Sequence, residues 1–127
     1  MKKITVAFDV DGTLIQTGNT GKPVANERIR TLLIAFASMK NTRIIVWSGG
    51  GELYARQVAS AIGIDRYVNQ YADKQYTSCE DVGCTQPRGT DGTCTQHHFA
   101  TDLKPDIAID DIQACVLGTL NLIVREK

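Results

Sequence analysis

Apolar residues in this chain fall into short dense runs that alternate with stretches of helical spacing. Lys3 to Phe8 is apolar and β-branched, the pattern of a strand buried on both faces. It runs into Asp9-Val10-Asp11-Gly12-Thr13. Gln16 to Lys22 is polar and reads as a loop, and Pro23 suits the first turn of a helix. Ala25, Ile29, Leu32, Leu33 and Phe36 then mark one helical face. Asn41-Thr42 breaks that helix, and Arg43 to Trp47 is a second buried strand ending in Ser48-Gly49-Gly50-Gly51. Leu53, Tyr54, Val58, Ala61 and Ile62 recur at helical spacing before Gly63, which suits a C-terminal cap. Arg66 to Tyr71 predicts a third strand and Asp106 to Ile109 a fourth. A short helix over Ile112 to Leu117 and a fifth strand over Asn121 to Val124 complete the series.

Strands alternating with helices predict a three-layer α/β/α sandwich around a mainly parallel sheet. In such sheets chemistry gathers beyond the carboxyl ends of the strands. Here three strand ends carry reactive groups: Asp9 and Asp11, Ser48, then Asp110 and Asp111. Trp47 and Phe36 are expected in the core, as is Tyr54, with partial exposure near the site as its alternative, and Cys115 as a small buried apolar residue. Cys79 to Ala100 is different in kind. It is polar, without helix or strand period, and reads as a Cys-rich insertion between the third and fourth strands.

With 127 residues the chain is expected to be one domain, residues 1–127. Hydrophobic residues at 43% and charged residues at 22% describe a globular balance. Fourteen Lys plus Arg against fourteen Asp plus Glu leave no basic excess, which argues against a dedicated nucleic-acid binder. No apolar run is long enough to span a bilayer, and the first residues form a strand rather than a signal peptide. The expectation is a cytoplasmic protein without a membrane partner.

Asp9 and Asp11 stand two apart, so on an extended segment they face the same side. Gly12 lets the chain turn away and leaves backbone N–H groups to face an anion. Carboxylates crowded at one spot repel unless a cation joins them. With Asp110 and Asp111 arriving from another strand, the set is a hard oxygen site suited to Mg²⁺. Magnesium keeps substrate phosphate oxygens in its shell, which points to a phosphate ester as substrate.

Phe8-Asp9-Val10-Asp11-Gly12-Thr13-Leu14 resembles the first motif of the haloacid-dehalogenase (HAD) superfamily of phosphotransferases. Val46-Trp47-Ser48-Gly49 is similar to its second motif, and Ile107-Ala108-Ile109-Asp110-Asp111 to its fourth. The resemblance implies a HAD-like Rossmannoid fold and a phosphoric monoester hydrolase of the small, capless type. By that resemblance Asp9 is the nucleophile that becomes an aspartyl-phosphate. Asp11 protonates the leaving group and then activates water. Ser48, Gly12, Gly49 and nearby N–H groups hold the phosphoryl oxygens, with the start of the second helix adding positive character. Mg²⁺ is implied between Asp9, the Asp11 backbone carbonyl and Asp110, with Asp111 as ligand or outer partner.

The family's third motif supplies a lysine, and two candidates stand. Lys74 follows the third predicted strand, at the reactive end of the sheet. Lys104 precedes Pro105 and the fourth strand, as in some small members, but enters that strand from the opposite end. In the insertion, Cys79, Cys84 and Cys94 with His97 or His98 form a candidate structural Zn²⁺ set. A disulfide, free thiols, or histidines that face substrate are the alternatives. One helix and its lead-in loop fill the stretch from Asp9 to Ser48, so no large cap fits there, and the insertion is at most a small lid. An open site suits a phosphorylated small molecule or a phosphorylated macromolecule end. A phospho-accepting regulatory domain and a non-catalytic phosphate-binding module are the competing readings.

Overall fold

The computed structural model describes residues 2–16, 21–76, 99–100, 103–111 and 118–124. In chain order the elements are β1 (Ile4–Asp9), α1 (Glu27–Ala37), β2 (Thr42–Ser48), α2 (Glu52–Ala61), β3 (Gln70–Asp73), β4 (Gln75–Tyr76), β5 (Phe99–Ala100), β6 (Ile107–Asp110) and β7 (Leu120–Ile123). Five strands form one sheet in the order β3-β2-β1-β6-β7. Every neighbouring pair in it is parallel. The α/β class and the parallel sheet are as the alternation of runs predicts.

The steps from β1 to β2 and from β2 to β3 move the same way along the sheet. Right-handed crossovers then put both connecting helices on one face. Accordingly Leu33 of α1 and Ala55, Val58 and Ala59 of α2 pack in one core with Val6, Phe8, Ile44, Val46 and Ile109. Ala7, Ile45, Trp47 and Ala108 bury on the opposite face, packed with Ala72 and Leu103. Trp47 is fully buried, whereas Phe36 and Tyr54 are only partly so. The order reverses at β1, since β2 lies on one side of it and β6 on the other. Such a reversal opens a crevice beyond the carboxyl ends of the two strands that flank it.

Several boundaries differ from expectation. Pro23 does not open α1: Gln16 N–H bonds Val24 O at 2.9 Å and Asn26 N–H bonds Leu14 O at 2.8 Å, so Pro23 lies in the lead-in and Glu27 begins the helix. The third strand is Gln70–Asp73, not Arg66 to Tyr71. Asp65–Tyr67 instead form a 3-10 turn. Asn69 then clasps β2, donating its N–H to Ile44 O at 2.9 Å and accepting the Ile44 N–H on Oδ1 at 2.8 Å. Pairing can begin only after that clasp. Phe99–Ala100, the end of the expected insertion, pairs with Gln75–Tyr76 as an antiparallel ribbon too short for a sequence period to betray it. The remainder of the insertion, with Cys79, Cys84, Cys94, His97 and His98, lies outside the described residues, as do Cys115 and the expected helix Ile112 to Leu117. Among the described residues no helix is long and apolar enough to cross a membrane.

Candidate active site

Strand alternation sorts the polar groups at the carboxyl end of the sheet. Asp9 follows Ala7 by two on β1, and Asp110 follows Ala108 by two on β6, so both acids share the face opposite the helices. Lys74 follows Ala72 by two and reaches the same face. Lys74 Nζ donates to Asp9 Oδ1 at 2.7 Å and to Asp110 Oδ2 at 2.6 Å. All three are buried, at 4%, 6% and 1% exposure, so these are desolvated ion pairs rather than surface ones. The other Asp9 oxygen accepts the buried Thr13 hydroxyl at 3.3 Å. Ser48 and Asp73 have the opposite parity and face α2. Ser48 Oγ accepts the Gly50 N–H at 3.0 Å, and Asp73 Oδ1 accepts the Glu52 N–H. Asp73 thus caps the Glu52 N–H in the first turn of α2.

Asp9, Asp110 and Asp111 offer carboxylate oxygens that all lie within 4.8 Å of one another. Asp111 Oδ1 is buried with no hydrogen-bond partner among the described residues. Burial, opposed by the Lys74 charge and reinforced by Asp110, pushes the Asp9 carboxyl from 3.8 up to about 8. Burial and Asp110 also raise Asp111. Burial alone would lower Lys74, but the charges of Asp9 and Asp110 more than reverse this, and its ammonium is held above its usual range. Three ionised carboxylates and one ammonium carry two net negative charges, which one divalent cation cancels. A buried carboxylate oxygen without a donor, beside hard oxygen ligands, fits such a cation.

Asp11 does not join that group. The N–H groups of Thr13, Leu14 and Ile15 all converge on Val10 O at 3.2, 3.0 and 3.1 Å. The chain therefore turns at Val10, and the extended spacing that would align Asp11 with Asp9 ends there. The exposed Asp11 side chain faces α2 instead, where its Oδ1 accepts the Tyr54 hydroxyl at 2.6 Å. Burial and the neighbouring acids hold that phenol protonated, pushed up to about 12. Tyr54, expected in the core, packs its ring there and extends its hydroxyl to the site.

Gly12 contributes room rather than a free donor. Its N–H bonds Ile15 O at 2.9 Å. Its φ is +76°, and a Cβ there would stand 2.1 Å from Asp111 Oδ2. Only glycine allows the β1 loop to touch Asp111 so closely. Gly49 lies beside the Lys74 backbone, a Cβ there meeting Lys74 O at 3.7 Å. Lys74 is further fixed by its own N–H, which bonds Ser48 O at 2.9 Å.

Lys104 is not brought to this cluster. It is exposed, two residues before Asp106, which is bonded to Thr5 near the start of β1. Of the residues singled out in the sequence, Asp9, Lys74, Asp110 and Asp111 meet directly. Gly12 stands against Asp111, Ser48 and Gly49 stand against the Lys74 backbone, and Asp11 turns toward Tyr54. Sequence reasoning missed Thr13 and Asp73 as contributors, and ranked a place near the site second for Tyr54. Asp73 was legible only as the residue before Lys74 at a strand end. No family model matches the chain, and neither a curated protein nor a solved structure matches it.

Proposed function

We propose that this protein is a Mg²⁺-dependent phosphatase that hydrolyses a phosphate monoester through an aspartyl-phosphate on Asp9. On this reading the fold is a HAD-like Rossmannoid sandwich, a second helical layer covering the Ala7, Ile45, Trp47 and Ala108 face. The observation that carries it is the buried Asp9–Lys74–Asp110 group, with Asp111 against it, at the reversal point of a parallel sheet. The resemblance of the motifs around Asp9, Ser48 and Asp110 supports the same reading.

Asp9, Asp110 and Asp111 would hold the metal, and the Asp11 backbone carbonyl is its expected fourth protein ligand. When bound, Mg²⁺ neutralises charge on the transferring group and allows Asp9 to stay ionised. An Asp9 oxygen forms a bond to phosphorus, the bond from phosphorus to the ester oxygen breaks, and Asp11 gives its proton to that oxygen. Water then attacks phosphorus and passes a proton to Asp11. The bond to Asp9 breaks, and inorganic phosphate leaves with both carboxyl groups restored. The Lys74 ammonium stabilises the negative oxygens throughout. On this reading the buried Ser48, whose Oγ accepts the Gly50 N–H, would donate its hydroxyl proton to a phosphoryl oxygen.

The substrate on this reading is a phosphorylated small molecule or macromolecule end, handled in the cytoplasm. Zn²⁺ on Cys79, Cys84, Cys94 and His97 would be a separate structural matter, which metal analysis of the purified protein decides. The function is tested by phosphate release from a broad ester panel with Mg²⁺. Asp9→Asn is expected to lose at least about a thousandfold in turnover. A long-lived phospho-Asp9 without turnover would instead favour the regulatory reading, and a wild-type protein inert on the whole panel would sink the phosphatase.

A further inference from the structure

Between the two halves of the candidate machinery stands a residue with no role in the mechanism above. Tyr54 lies on the first turn of α2, just after the Ser48 to Gly51 turn. Its ring packs so closely on that turn that a Cβ at Gly50 would stand 3.0 Å from Tyr54 Cδ2. Its hydroxyl donates to Asp11 Oδ1 at 2.6 Å. No other hydrogen bond to the Asp11 side chain is present among the described residues. Asp11 is exposed just beyond the end of β1, and this hydrogen bond ties its carboxyl to α2.

We infer that Tyr54 is a positioning residue that holds the Asp11 carboxyl toward the leaving-group oxygen by a hydrogen bond across the mouth of the site. The inference rests on the phosphatase reading. One oxygen of Asp11 is tied to Tyr54 and the other remains to exchange a proton with the ester oxygen. The ring's seat on Gly50 references that oxygen to the same turn that carries Ser48. Acid and phosphoryl binder are thereby set against one frame. A carboxyl misplaced by about an ångström loses much of its advantage in proton transfer.

Loss of this contact should matter only where the leaving group needs a proton. An alkoxide leaves poorly without one, whereas dinitrophenolate leaves unaided. The experiment compares kcat/KM of wild type and Tyr54→Phe, with Mg²⁺, on glycerol 2-phosphate and on 2,4-dinitrophenyl phosphate. The ratio kcat/KM reports the first chemical step and excludes the later hydrolysis of phospho-Asp9. The expected result is a loss of at least about tenfold on the alkyl ester and of less than about threefold on the aryl ester. In an Asp11→Ala background, Tyr54→Phe should change neither value further. Equal losses on both esters, no loss on either, or additive effects with Asp11→Ala would overturn the inference and leave the phosphatase standing. A wild type inert on both esters would overturn the phosphatase reading, and this inference with it. If Tyr54→Phe does not fold, Tyr54→His serves the same comparison, because its shorter ring cannot reach Asp11.

Discussion

The two ends of the sheet use the same residue types for opposite purposes. At the amino end, Asp106 Oδ2 accepts the Thr5 N–H at 2.8 Å while its own N–H bonds Thr5 O at 2.9 Å. Asn69 does the same for Ile44, and Arg43 bonds the Gln70 side chain. Each of these polar groups satisfies backbone or a neighbour near solvent. At the carboxyl end, Asp9, Asp110 and Lys74 are buried and bonded to one another. Two acids share one ammonium, a third stands alongside, and burial drives Asp9 far from its ordinary value. An acid bonded to backbone stitches strands together. Acids crowded around a single ammonium are an electrostatically costly arrangement that a divalent cation would relieve.

The contrast is testable by removing a charge from each end. Lys74→Met should have the largest effect. It leaves two buried acids without their ammonium, so the fold is expected to lose about 3 kcal/mol in metal-free denaturant titrations. Phosphate release should fall about a hundredfold. If stability is unchanged, the carboxyl end is not under the stress described. The next effect concerns pH. Asp9 goes from 3.8 to about 8 on folding, so the folded protein binds this proton more tightly than the unfolded chain. Lys74, held above its usual 10.5, stays charged throughout that window. The metal-free melting temperature should therefore fall as pH rises from about 4 to about 8, and saturating Mg²⁺ should flatten the slope. A slope of the opposite sign, followed by circular dichroism in chelator, would break the comparison. The smallest effects belong to the amino end. Asp106→Ala should cost about 1–2 kcal/mol of stability, and Lys104→Ala less than about 0.5 kcal/mol. Phosphate release per folded molecule should hold in both.

The sequence made the buried centre of the sheet legible and its edge obscure. β1 and β2 are apolar runs because both faces are covered, and burial leaves a strong pattern. β3 is a half-buried edge strand reading Gln-Tyr-Ala-Asp, with little pattern to find. Topology separated the two lysines better than local motif did. Lys104 matches a dipeptide of the family, yet a residue entering a strand cannot also stand at its exit. Tyr54 reads as core first and near the site second for another reason. An aromatic residue at helical spacing looks the same whether its hydroxyl meets solvent or a carboxylate. The Asp9-x-Asp11 spacing misled in the same way, because strand alternation holds only until the turn at Val10.

Chain order also governs when this cluster can exist. β1 gains its neighbour β2 early, but its other neighbour, β6, comes from far along the chain, the Thr5–Asp106 contact spanning 101 positions. On a ribosome making this protein, the strand that bears Asp9 must wait half-paired until about a hundred further residues have emerged. Asp110 and Asp111 are among the last described residues to be synthesised. A nascent chain therefore cannot assemble the acidic cluster before Asp110 and Asp111 have emerged.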